Sequence, residues 1–153
     1  MSKLETGLIG LLMATATVLS AQNDPWAAWD YSTKTAIDGK TTEIAMAGKY
    51  DNVSLVVRCS KNCEVYLVNS KEIFADQGTV RVKFNKSAVK QFAVSRGDGS
   101  TSLFFREPWS ILRAIRDNGG YLTVEYRPYE KSPDTTTLGI WNLPPSILKR
   151  IPK

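Results

Sequence analysis

A period-two alternation of apolar and polar residues, repeated in short runs from Trp29 to Trp141, constrains this chain most. That rhythm puts successive side chains on opposite faces of a strand, whereas a helix needs a period near 3.6. Trp29-Asp30-Tyr31-Ser32-Thr33 alternates aromatic with polar residues, and Thr42, Ile44 and Met46 share one face of the next run. Val80, Val82 and Phe84 alternate with Arg81 and Lys83. Phe92 and Val94 lead to Asp98-Gly99, a tight-turn signal before Leu103-Phe104-Phe105, and late strands are expected at 121–126 and 136–141. Two segments break the rhythm: 107–116, where Pro108 suits a first helical turn and Asn118-Gly119-Gly120 a stop, and 144–151, which opens the same way. The expected fold is mainly β, an antiparallel β-sandwich or barrel-like domain with two short helices.

The two cysteines fall within this pattern. Leu55–Cys59 and Cys63–Val68 flank Ser60-Lys61-Asn62, the length of a three-residue hairpin loop. Pairing across it sets Cys59 opposite Cys63. Opposed Cβ atoms lie about 4.5–5.5 Å apart, and a disulfide needs about 3.5–4.5 Å. A narrow pair at a twisted hairpin end meets that requirement; two free thiols are the alternative.

The first twenty residues read as a signal peptide. Lys3 and the amino terminus precede an uncharged apolar run, Leu8 to Leu19, and cleavage is expected before Ala21 or just after it. A membrane span needs roughly 20 apolar residues, and this run is shorter and ends at polar Gln22-Asn23-Asp24. The domain expectation is a signal peptide at 1–20 and one exported β-rich domain at 21–153, periplasmic or secreted, with no stable membrane span after cleavage. Disulfides persist in such compartments.

Composition narrows the chemistry. The chain has no histidine, which removes Ser-His-Asp and Cys-His catalysis and imidazole zinc sites, and two cysteines cannot supply four thiolates. Neither a metal nor a cofactor is expected. Carboxylate-pair chemistry stays open through Asp38 with Glu43 or Asp51, although acidic residues at turns usually meet solvent or cap backbone. The expectation is a non-enzymatic binding domain.

Twenty Lys and Arg against fifteen Asp and Glu leave a surplus of +5, which favours an acidic partner. The segment 77–97 holds Arg81, Lys83, Lys86, Lys90 and Arg96 with no Asp or Glu. Arg81 and Lys83 should stand on the exposed side of their strand, and Lys90 should snorkel at a strand end. Arg81, Lys83, Lys86 and the loop-borne Lys61 are the candidate partner-binding residues; the alternative is a solvated face that discourages edge pairing. Nucleic acid is not expected, because no aromatic residues interleave with the cations as a stacking platform. Arg96-Gly97-Asp98 reads as a hairpin tip rather than an adhesion tripeptide, and the sequons at Asn52 and Asn85 as chance.

The order of these elements resembles the type VI secretion-associated accessory protein family (TagO/VasI-like). The resemblance runs from Trp29, Ser32 and Asp38 through Leu55-Val56-Val57-Arg58-Cys59, its most specific part. It continues through Val80–Phe84, Phe92–Ser95, Leu122 to Tyr129, and Thr137–Ile140 with the last helix. It implies an exported accessory or interaction domain of the bacterial cell envelope with a protein partner there. A secreted inhibitor or immunity-type protein that binds an envelope enzyme or toxin is the competing expectation.

Overall fold

The computed structural model describes residues 28–49 and 51–153. The expected signal peptide and its cleavage site lie outside them. The described residues form nine strands and two helices: β1 (Trp29–Thr35), β2 (Thr41–Ala47), β3 (Val53–Cys59), β4 (Cys63–Asn69), β5 (Thr79–Phe84), β6 (Lys90–Arg96), β7 (Ser102–Phe105), α1 (Pro108–Asn118), β8 (Tyr121–Tyr126), β9 (Asp134–Gly139) and α2 (Pro145–Leu148). The mainly β expectation holds, and both helices begin where the prolines placed them.

The strands make one antiparallel sheet in the order β1-β2-β3-β4-β7-β6-β5-β8-β9. The sheet folds over on itself at β6, whose two halves have different partners. Residues 90–93 pair with β5, and Val94–Arg96 pair with β7. A strand that changes sheets midway is one way to turn the corner of a sandwich. The layers meet again where the edge strands approach, the Trp29 indole N–H of β1 donating to the Ile140 carbonyl just after β9 at 3.2 Å, and β9 also touches the inner strand β3. One core fills the space between, from Leu55, Val57 and Leu67 on one layer to Val82, Phe84, Leu122, Val124 and Leu138 on the other.

Helix α1 enters this core. Its buried Ile111, Leu112 and Ile115 recur at helical spacing and pack toward β4. Burial of each such side chain contributes about 1.5–3 kcal/mol. The Gly119 amide closes the helix on the Ile115 carbonyl, with Gly119 at φ 61°, a conformation that glycine adopts without the usual side-chain penalty.

Strand β2 bears out one sequence inference and adds a detail that alternation could not supply. Thr42, Ile44 and Met46 do share a face, but it is the outer one; Glu43, Ala45 and Ala47 point into the molecule. Strand β3 explains how this can be: Val53, Leu55 and Val57 line the core while Ser54 and Val56, of opposite parity, are also buried. Apolar residues on both faces make alternation silent about which face is inside.

Candidate functional site

The two layers present outer faces of different chemistry. On the first, register aligns Asp30, Met46, Val56, Tyr66, Phe104 and Ser95 in one row across β1, β2, β3, β4, β7 and β6. Val56 is covered at the centre, and Met46, Tyr66 and Phe104 are half-buried around it. Tyr66 and Phe104 stack with centroids 4.7 Å apart, and the Arg58 guanidinium lies 5.4 Å from the Tyr66 ring centre. The next row carries Ser32, Ile44, Arg58 and Glu64, with Arg58 and Glu64 ion-paired. Beyond it lies an open depression lined by residues that include Lys34, Ile44, Arg58, Lys61 and Asn62.

Lys61 therefore belongs to the rim of this apolar face. Its loop is held by the Cys59–Cys63 disulfide, which joins residues paired directly across β3 and β4 with Cα atoms 4.1 Å apart. The hairpin register inferred from the spacing is the one observed.

On the second layer, Arg81 and Lys83 stand on the exposed side of β5, as their parity requires, and Lys86 sits in the following turn. Lys90 is exposed at the start of β6. These residues are not brought together with Lys61. Three strand spacings, about 14 Å of sheet at roughly 4.8 Å each, separate β4 from β5. Nor is the stretch a field of free cations. Arg81 pairs with Glu125 across β5 and β8 at 3.3 Å, and Arg96 donates to the Phe74 carbonyl at 3.3 Å. Glu125 lies 44 residues from Arg81, so no local reading of the acid-free segment could find it.

The same face carries an aromatic pair that sequence reasoning missed. Tyr121 and Trp141 meet edge to face at 5.4 Å, with exposures of 55% and 36%. The indole lies across Gly139, where a Cβ would come within 2.3 Å of its ring.

A polar cluster fastens the C-terminal segment to the first layer. Glu43 is buried yet charged: the Tyr31 hydroxyl donates to it at 2.6 Å and the Arg150 guanidinium at 2.9 and 3.0 Å. The Ser146 hydroxyl lies 3.1 Å from that of Tyr31, and Arg150 also donates to the Ser60 carbonyl at 2.6 Å. Burial alone would raise the Glu43 carboxyl. Hydrogen bonds from Ser146, Tyr31 and Arg150, with the charge of Arg150, outweigh it and hold the group below its usual value. Burial and the hydrogen bond to Glu43 raise the Tyr31 phenol. Of the carboxylates considered for a pair, Glu43 is engaged by a cation and a phenol, and Asp38 accepts from the Lys40 amide and pairs with its ammonium in the β1–β2 turn.

Comparison of the chain with protein-family models, curated proteins and solved structures gives no match.

Proposed function

We propose that this chain is an exported, non-enzymatic interaction domain of the bacterial cell envelope, of the accessory kind that the type VI secretion-associated family represents. The observation that carries the reading is the row Met46–Val56–Tyr66–Phe104 with Arg58 beside it. Aromatic residues, Met and Arg are the types enriched in protein interfaces, and this row offers them on one face of a preformed sheet. Lys34 and Lys61 at the adjoining depression favour an acidic protein partner. Among the described residues no helix is long and apolar enough to cross a membrane, and the disulfide suits an oxidising compartment.

The loop at Lys61 favours a second reading. A short loop fixed by a disulfide at its base is shaped to enter a cleft, as an inhibitor or immunity-type protein would. Identification of what is captured separates the two: a secretion component supports the accessory role, and a hydrolase or toxin supports the inhibitor.

The test is capture from an envelope extract by tagged protein, followed by affinity measurement with the identified partner. Tyr66→Ala should weaken binding more than about tenfold, as truncation of an interface anchor does, and Lys61→Glu should weaken it less. Arg81→Glu with Lys83→Glu should leave it unchanged. Dependence on Arg81 and Lys83 instead of Tyr66 would move the docking surface to the other layer. Export is tested separately: the mature amino terminus should be Ala21 or Gln22 by mass spectrometry of the envelope fraction, and a cytoplasmic protein retaining Met1 would overturn it.

A further inference from the structure

We infer that the tip of the β1–β2 hairpin docks on an anionic lipid bilayer, Ile37 entering the apolar layer and lysines meeting the headgroups. The hairpin projects from the sheet. Strand β1 pairs with β2 out to Thr35 and Thr41, whereas β3 pairs with β2 only as far as Glu43, opposite Cys59. Thr41, Thr42 and the residues opposite them therefore run on without a β3 neighbour and carry the turn at 36–40 clear of it.

That turn is closed on itself, so what it presents is fixed. The Ala36 amide donates to the Lys40 carbonyl at 2.8 Å, and the Gly39 amide to the Ala36 carbonyl at 2.9 Å. Asp38 Oδ1 accepts from the Lys40 amide at 3.1 Å, and Gly39 takes the positive φ of 86° that the reversal needs. Ile37 is held outermost and is the most exposed large hydrophobic among the described residues.

Lone apolar side chains are common on protein surfaces; the charges around this one give it a direction. On β1 to β4, and in the β1–β2 and β3–β4 turns, every carboxylate has a cation of its own. Asp30 pairs with Lys49, Asp38 with Lys40, Glu43 with Arg150 and Glu64 with Arg58. Lys34 and Lys61 are left over. Neither has an ion-pair partner among the described residues, and both line the depression between the hairpin and the Ser60 loop. Lys34 lies three residues from Ile37, at most about 10 Å along a strand at roughly 3.3 Å each. Exposed charges act over about that distance at 0.1 M salt.

A bilayer takes this combination without a matching cleft. Its hydrocarbon accepts the isoleucine, and its anionic headgroups meet ammonium groups set behind it. A protein partner needs a pocket shaped to a convex tip, and a nucleic acid offers phosphates but nothing for Ile37. Two uncompensated cations and one apolar side chain make the docking weak and reversible, as it is for other single anchors.

The tip and the Tyr66 row are separate surfaces, so each can fail alone. Co-sedimentation of the purified protein tests the tip, with vesicles of phosphatidylglycerol and phosphatidylcholine in equal parts against phosphatidylcholine alone. The protein should bind the anionic vesicles and not the neutral ones. Ile37→Ser should weaken binding at least about tenfold, and Lys34→Glu with Lys61→Glu should do the same. All three positions are exposed, so the variants should keep the wild-type melting temperature. Tyr66→Ala, and Arg81→Glu with Lys83→Glu, should leave vesicle binding unchanged. Absence of binding to the anionic vesicles would overturn the inference, even if Ile37→Ser abolished capture of a protein. So would equal binding to both vesicles, or binding that the lysine reversals abolish and Ile37→Ser leaves intact.

Discussion

The Cys59–Cys63 bond and the Glu43–Arg150 ion pair fasten the same end of the molecule, one covalently and the other not. The disulfide joins residues four apart and pins a hairpin that backbone pairing already specifies. The ion pair joins residues 107 apart and brings the C-terminal segment onto β1, β2 and the Ser60 loop. Covalent strength is thus spent on the contact with the smaller closure entropy, since that entropy grows with loop length. The polar cluster closes a loop of almost the whole described chain, and does so with a carboxylate that solvent barely reaches.

The comparison yields an order of effects. Glu43→Ala should destabilise the fold most, by about 3 kcal/mol, because charge-assisted hydrogen bonds are lost and the Tyr31 hydroxyl keeps only Ser146. Denaturant unfolding measures this, and a loss below that of the disulfide variant would break the ranking. Replacing both cysteines by Ser should cost at most about 2 kcal/mol by the loop-entropy model and leave a folded protein. Thiol labelling of the denatured, unreduced wild type should find no reactive thiol, and two per chain would show the bond absent. Arg150→Lys should cost about 1 kcal/mol, since a lysine keeps the charge but not the fork that spans Glu43 and the Ser60 carbonyl.

The smallest effect is in pH. The folded-state pKa of Glu43 is depressed, so its contribution is fully present above the ordinary carboxylate value of 4.5 and disappears as pH falls through the folded value. The stability difference between wild type and Glu43→Gln should therefore be constant near neutrality and shrink below about pH 4.5. A difference that does not change with acid would mean that the carboxylate is not ionised in the folded protein.

Local signals carried much of this architecture. The strand pattern, the prolines that open both helices, the three-residue loop between the cysteines and the outward Arg81 and Lys83 were legible from spacing, although the last strand is Asp134–Gly139 and not 136–141. The features that define the surfaces were not. In β2 both parities carry apolar residues, so a glutamate between Thr42 and Ile44 looks like a solvent-facing charge until Arg150 arrives from the other end of the chain. The partner of Arg81 is likewise distant, and the meeting of Trp141 with Gly139 and Tyr121 depends on β8 pairing with β9. Periodicity reports that two faces differ. Which one is buried depends on strand order, which loops and crossovers decide.

Strand β6 has a final consequence. Because its first half completes one layer and its second half the other, neither layer contains all of its own strands without the same seven residues. The layers are therefore not separable folding units, and opening either one strips partners from the strand that anchors the other. Native-state amide exchange should accordingly proceed with similar protection on both sides of Ala93, through a shared global opening rather than through independent release of a layer.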